Sequence, residues 1–455
     1  VKFHLVATND GSGRVKASEV LQQMAVMIRD YAEMNLHLYL DDEELNYIDN
    51  TSIYENPGNF VASIVSRKDN NAVNIFICEN ANPPGTDPGS GGVVLGFYNP
   101  GGDYVIIRNT DVNAATSSLS HELGHLFSLP HTFFGWERVF EAYGWQGGWD
   151  PGDNTFMGQV DLTRTPLSNA LIELVDGSNC AATADRICDT PPDYNFGFGN
   201  AGCTFDRNIK DRNGDINEPM ERNYMGYFIG CEPYIFTQGQ EDAMRDDINS
   251  PARANIRRSY IPNTDVIVSN HEVVAPSSGE SLEFYNQIQL EWTPAENATN
   301  YVVALTAGGG EFYEFFTQET QFTVPELTPN KFYFLEITPF NDGYTDTETV
   351  SSTFRTGTEE NTTSVSESKI IQNVAVFPNP VSLGNDLNVT LSITKNTNVD
   401  VSLVDLTGTT VSTQSTTMSK GSNVLSLQTQ GLASGIYIMK MDTEDGSTHK
   451  KVIIQ

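Results

Sequence analysis

HELGHLFSLPH, residues 121–131, places three of the chain's seven histidines within eleven positions. In an α-helix, residues four apart lie on one face about 6 Å from each other, so His121 and His125 present their rings to one point. Leu119, Leu123 and Phe127 follow the same four-residue step, about 200° round the helix from the histidines. One face is left to bury and the other to bind a metal. Glu122 stands beside the first histidine, placed to act as general base toward a water at that metal. His131 cannot ride the same face, so the helix must stop near Ser128 and the chain must swing back. Pro130 fits such a stop. Three converging imidazoles suit Zn²⁺. No comparable spacing fixes a carboxylate pair or a Ser/His/Asp set.

The bulk composition sets the frame. A chain of 455 residues, 38% of them hydrophobic, is expected to form roughly two to four domains with packed cores. The formal net charge of −33 argues against nucleic acid as a partner, because a phosphate backbone repels such a surface. No run of about 18 apolar residues occurs, so no membrane span is expected. The opening VKFHLVATND is strand-like rather than a targeting segment, as in a mature or trimmed form.

Residues 1–262 read as an α/β domain. VKFHLVA (1–7), LHLYL (36–40), NAVNIFICEN (71–80) and YVIIRN (104–109) have the character of strands. In KASEVLQQMAVMIRDYAEMN (16–35), Val20, Met24, Met27 and Tyr31 recur at helical spacing. Residues 132–235 are rich in Gly, Asn and Asp with little periodicity, and loops that long are functional or stapled. FTQGQEDAMRDDI (236–248) returns to helix, with Thr237 and Gln240 spaced as a capping box. Residues 263–357 hold short strands at regular intervals, the pattern of an all-β sandwich. A polar linker at 358–372 precedes a second all-β domain at 373–455.

Three resemblances attach to these segments. HExxHxxGxxH with a later methionine turn is the metzincin pattern, and this chain has Ser128 at the glycine position. HELGHLFSLPHTF, DRICDTPPD (185–193), DRNGDINEP (211–219), RNYMGYF (222–228) and FTQGQEDAM (236–244) occur in this order. Together they resemble the pappalysin (cytophagalysin) family of metzincins over residues 1–262. That resemblance implies a metzincin-like α/β domain, a twisted sheet with an active-site helix and a loop-rich C-terminal subdomain, and a secreted zinc endopeptidase acting on proteins or peptides. His121, His125 and His131 would be the zinc ligands, Glu122 the general base and Met225 the apolar floor of the Met-turn. Tyr227 reads either as the phenol that stabilises the oxyanion or as a packed aromatic. GGVVLGFYNPGG (91–102) reads either as a rim strand that pairs with substrate backbone or as a hairpin within the sheet. Trp292 and Tyr333 in 263–357 resemble positions of a fibronectin type III module, and core packing accounts for both. VFPNP (376–380), the D-x-x-G turn at 405–408, LASGIY (432–437) and HKKVIIQ (449–455) resemble the type A sorting domain of the type IX secretion system. This implies export to the surface or exterior of a Bacteroidetes-like bacterium, with the secretion machinery as partner.

Cys78, Cys180, Cys188, Cys203 and Cys231 contain no CxxC pair, so a zinc ribbon is not expected. The last four lie within about fifty residues of one another, which suits disulfides in an oxidising compartment, and four cysteines allow three connectivities. The pappalysin resemblance implies Cys180–Cys203 and Cys188–Cys231, with Cys78 a buried free thiol. Asp211, Asn213 and Asp215 alternate as calcium ligands do or form a solvated acidic turn; Asp185, Asp189 and Thr190 are further calcium candidates by resemblance. Phe228-Ile229-Gly230 is apolar where some relatives carry acids associated with basic substrates, so that preference is not expected from this stretch; acids from the 135–179 insertion are an alternative source. The competing expectation for the whole chain is a non-catalytic surface adhesion protein whose metalloprotease-like domain only binds.

Overall fold

The computed structural model describes the chain except for residues 35, 42–44, 90–92, 138–159, 161, 198–201, 206–207, 362–367, 383, 406–407 and 455. The core of the linker, Gly91 and Gly92 of the rim stretch and most of the 135–179 insertion therefore lie outside the described residues. Two compact units emerge: Val1–Leu282, Gln289–Val324 and Lys331–Arg355 form one, and Glu283–Ile288, Pro325–Asn330 and Thr356–Gln455 the other.

The N-terminal sheet is built from β1 (Lys2–Ala7), β2 (Asn46–Asp49), β3 (Asn74–Cys78), β4 (Gly96–Asn99) and β5 (Tyr104–Arg108), in the order β2-β1-β3-β5-β4. The first four in that order run parallel, and β4 closes the edge antiparallel to β5. The inner strands β3 and β5 are apolar on both faces, as a covered parallel sheet demands. α1 (Ala17–Asp30) lays Val20, Met24 and Met27 into the core, with Tyr31 just beyond it, all fully buried at the expected spacing. Short helices α2 (Thr51–Glu55) and α3 (Val61–Val65) precede β3. α4 (Ser118–Leu126) carries the histidines, and Leu119, Leu123 and Phe127 on its other side are all buried. Each such side chain contributes about 1.5–3 kcal/mol. α5 (Gln238–Asn249) starts at the expected capping box, with the Thr237 hydroxyl accepting from the Gln240 N–H at 3.2 Å and the Gln240 side chain from the Thr237 N–H at 2.9 Å.

LHLYL departs from expectation. It forms no strand, because the place beside β1 is taken by Asn46–Asp49. Leu38 and Leu40 are buried all the same, which is why the stretch is as apolar as a strand. His4 illustrates the other use of histidine in this protein: it is buried, stacks on Phe76 with ring centroids 4.0 Å apart, and is hydrogen-bonded to Asn74 and Asn46.

In chain order the strands from 273 to 355 are β6 (Val273–Ala275), β7 (Glu280–Ser281), β8 (Asn286–Trp292), β9 (Asn300–Ala307), β10 (Glu311–Thr317), β11 (Gln321–Glu326), β12 (Phe332–Phe340) and β13 (Val350–Arg355). They form a five-stranded sheet, β10-β9-β12-β13-β7, and a three-stranded sheet, β11-β8-β6. Trp292 of one sheet meets Tyr301 of the other edge to face, so the two sheets pack as a β-sandwich. Tyr333 is core-packed, and its hydroxyl donates to Glu311 at 2.6 Å. The sandwich is not a detached bead. Val302 and Phe340 belong to the same buried cluster as Phe3, Leu5 and Leu123. Glu314 accepts from the Ala17 N–H at 2.9 Å and from the Tyr47 hydroxyl at 2.5 Å, which satisfies the first turn of α1.

The second unit contains another β-sandwich. β14 (Ile371–Phe377), β15 (Asp386–Ile393) and β18 (Gly421–Gln428) form one sheet, and β16 (Thr397–Asp405), β17 (Thr410–Met418), β19 (Gly435–Thr443) and β20 (Gly446–Ile454) form the other. Their alternating residues fill one core, with Leu387, Val389, Val401, Met439 and Val452 among them. The sequence motifs acquire structural roles here. Asn379 donates to Lys451 O and accepts from the Ile453 N–H, locking the Phe-Pro-Asn-Pro segment onto the last strand. Of the D-x-x-G motif, whose middle two residues lie outside the described residues, Asp405 accepts from the Thr409 N–H through its side chain and from the Gly408 N–H through its carbonyl.

If the first sandwich steadies α1 through Glu314, Glu314→Ala should cost about 1–2 kcal/mol. Denaturant unfolding of the full chain checks this; an unchanged midpoint contradicts it.

Candidate metal centre

The histidine pair at 121 and 125 sits on α4 as expected, and the chain then makes the turn that the third histidine requires. The helix gives way at Phe127, and Ser128 adopts φ 73°, the left-handed region. Leu129 N–H then bonds back to Gly124 O at 2.9 Å. A left-handed serine costs about 1 kcal/mol relative to glycine, and its side chain offsets this. Ser128 Oγ donates to Asp247 on α5 at 2.8 Å, and Asp247 accepts in turn from Arg253 Nε at 2.9 Å. The same guanidinium bonds to Asp103 and to the Leu126 carbonyl at the end of α4. Glycine could not join this network.

The result is that His121, His125 and His131 bring ligand nitrogens within 4.8 Å of one another, the one such group of His, Cys, Asp or Glu residues found among the described residues. Each ring is held from behind. His121 Nδ1 bonds to Tyr224 O at 2.6 Å and His125 Nδ1 to Leu129 O at 2.7 Å; His131 Nδ1 lies 3.4 Å from Glu137 Oε1. A carbonyl accepts only, so the first two rings carry their proton on Nδ1 and direct the Nε2 lone pair to the shared point. His125 Nε2 and His131 Nε2 are 3.1 Å apart. Burial and then the neighbouring histidines hold His121 and His131 well below the usual imidazole range, and burial lowers His125. The rings are therefore neutral, as metal ligation requires. The donor set, its neutrality and its outer hydrogen bonds fit Zn²⁺.

Around this point stand the other residues expected from the sequence. Glu122 is buried, and burial pushes its carboxyl up to about 8 against the opposing hydrogen bond from the Tyr98 backbone. β4 passes directly over it: a Cβ on Gly96 would come within 3.2 Å of Glu122 Cγ. β4 is the sheet's edge strand, its other side paired with no strand among the described residues. Met225 is fully buried beneath α4, and a Cβ on Gly124 would lie 2.5 Å from its sulfur. The HELGH glycine thus makes room for the methionine. The turn carrying Met225 is closed by Asn223, whose side chain accepts from the Met225 N–H and exchanges hydrogen bonds with the buried Gln240 of α5. The Tyr227 ring centroid lies 5.0 Å from that of His131 and 5.9 Å from that of His121.

The cysteine pairing corrects the expectation. The bonds are Cys180–Cys188 and Cys203–Cys231, not Cys180–Cys203 and Cys188–Cys231. Left-handed residues Ala184 and Arg186 fold the first segment back, so the Cα atoms of Cys180 and Cys188 lie 5.1 Å apart, within disulfide reach. Gly230, also left-handed, turns Cys231 toward Cys203, whose Cα is 4.8 Å away. The Cys-Asp-Thr-Pro loop is tied to the start of α5 by Asp189, which accepts from the Thr237 hydroxyl and the Gly239 N–H, both at 2.8 Å. Cys78 is free and buried.

The calcium candidates fall in separate turns. Asp211 is buried and accepts from the N–H groups of Val175, Asn213 and Asp215, while Asn213 and Asp215 are exposed. Asp185 is buried with Thr190 donating to it at 2.9 Å, and burial pushes its carboxyl up to about 7. Sequence reasoning missed its neighbour Glu173, raised to about 8 by burial and then by the charge of Asp185. Arg253, Asp247 and Asp193, which accepts from the Thr132 hydroxyl, were also missed; no periodicity marks isolated charges whose partners are distant in sequence.

Residues 375–455 match the secretion system C-terminal sorting domain. Such a tail implies a secreted or cell-surface protein of a Bacteroidetes-type bacterium that engages the type IX machinery. No helix among the described residues is long and apolar enough to cross a membrane. No curated protein matches the chain. Solved structures similar to it include the fibronectin domains FN1–FN3 of chicken CNTN1, at 14% identity over 40% of this chain and 67% of that one, TM-score 0.16. Dimeric latent PorU from Porphyromonas gingivalis matches at 15% identity over 44% of this chain and 22% of that one, TM-score 0.19. The fn3 domain of human collagen alpha-1(XX) matches at 15% over 24% and 96%, TM-score 0.16. At these scores the likenesses carry no argument about the site.

Proposed function

We propose that the chain is an exported zinc-dependent endopeptidase of the metzincin type, with its first 262 residues similar to pappalysins. The observation that carries this is the histidine trio with its ring nitrogens converging and Glu122 buried beside it. The chemistry the metal supplies when bound is Lewis-acid polarisation of the scissile carbonyl and a nucleophilic water at neutral pH. Glu122, which a bound cation would favour in its charged form, takes the proton of the attacking water and returns it to the leaving amine. Tyr227, beside two of the ligand rings, supplies a phenol to the oxyanion. The open edge of β4 offers backbone groups along which an extended peptide lies as an added strand. Ser128, which stands where the metzincin pattern has glycine, keeps the turn and is bonded to Asp247.

Glu122→Gln should retain stoichiometric zinc by elemental analysis and lose about 10²–10⁴-fold in turnover of a casein or peptide-library digest. Undiminished cleavage by that variant contradicts the assignment.

Structural calcium belongs to the same proposal, at Asp185 with Thr190 and the neighbouring Glu173. In the cation-free protein these carboxyls hold protons that the unfolded chain has released, so stability falls as pH rises from about 4 to about 8. Calcium favours the charged forms and should flatten that fall. Melting temperatures across this range, with calcium chelated and zinc restored, should drop with pH more steeply than with calcium added. Identical profiles would remove the calcium assignment.

A further inference from the structure

The third histidine differs from the other two in what stands behind it. His121 and His125 bond through Nδ1 to backbone carbonyls, whereas His131 faces a carboxylate, Glu137 Oε1, at 3.4 Å. The loop between them is built to return that carboxylate. Phe133 is fully buried and stacks on the His131 ring, centroids 4.4 Å apart and planes 12° from parallel. Trp136 is buried and stacks on Tyr194. Gly135 sits at φ 97° with Ala170 against it, where a Cβ would come within 2.7 Å, so the turn is tight. Glu137 Oε2 is then fixed by the Gly135 N–H at 2.7 Å, which leaves Oε1 for the histidine.

We propose that Glu137 is the positioning residue for the third ligand: its carboxylate accepts the Nδ1 proton of His131 and so holds the Nε2 lone pair toward the metal. Phe133 restrains the ring plane, and Glu137 selects its tautomer. A neutral imidazole has one N–H, so without an acceptor behind Nδ1 the proton is free to move to Nε2, where it blocks ligation. A carboxylate there also raises the basicity of the ligand nitrogen, and removing such a partner typically costs about 10–100-fold in metal affinity. The proposal rests on the zinc reading of the site.

The test uses the full chain with Glu137→Met, which keeps the volume without the acceptor, and Glu137→Gln, which has one acceptor oxygen for two N–H donors. Zinc dissociation constants come from competition with a chromophoric chelator. The His131 tautomer comes from ¹⁵N NMR of the metal-free protein. Native protein should show the Nδ1–H form at His131. In E137M the proton should shift toward Nε2 and the dissociation constant should rise about 10–100-fold; E137Q should move both in the same direction by less. Should E137M fail to fold, the E137Q shift decides. An Nδ1–H tautomer and native zinc affinity in the folded variants would overturn the proposal. Native protein with the expected tautomer but no zinc uptake would instead sink the metal reading, so the two failures are distinguishable.

Discussion

A single helix cannot aim residues 121, 125 and 131 at one point, because about 100° separates successive side chains and the third falls well off the face of the first two. Everything at the site depends on breaking the helix after the second histidine and reversing the chain within six residues. The left-handed Ser128 is that reversal. Its conformation is held from outside by Asp247 and Arg253, and Arg253 also ties the end of α4 to Asp103 in the turn between β4 and β5. The strand over Glu122, the end of the histidine-bearing helix and α5 are therefore joined at one guanidinium. Small movements of any of them would be felt in the spacing of the histidines.

Beneath the helix a second set of contacts performs the complementary task. Met225 fills the space that Gly124 leaves, and Asn223 with Gln240 fixes the turn that carries it. The Tyr224 carbonyl of that turn orients His121. Two elements about a hundred residues apart thus set the ring angles of the histidines, while Tyr31 on the backing side donates to Ser120 O and keeps α4 against α1. Since Glu314 of the β-sandwich accepts from Ala17 at the start of α1, the sandwich belongs mechanically to this assembly.

What was legible in the sequence was what local rules dictate. Helical spacing revealed the buried face of α4 and the histidine pair on its other side, the odd spacing of His131 demanded a stop near Ser128, and Thr237 with Gln240 marked the start of α5. Met225 was placed by resemblance, and the sandwich of 263–357 by its alternating strands. What was not legible depends on conformations without a sequence period. Cysteine pairing turned on left-handed backbone at Ala184, Arg186 and Gly230, and spacing alone leaves all three connectivities open. LHLYL is as apolar as a strand because it is buried, yet another segment holds the sheet edge. The Glu137 contact had a faint signal in the closely set aromatics of HTFFGWE, which imply a packed loop after the last histidine.

The proposed role of His121, His125 and His131 is to hold one zinc ion together. X-ray absorption at the zinc edge of the purified, dialysed chain reads that ligation. Ligation by the three histidines predicts one retained zinc whose first shell fits three imidazole nitrogens and a further light ligand at about 2.0–2.1 Å. A shell containing sulfur or a single imidazole, or zinc lost on dialysis, would contradict it.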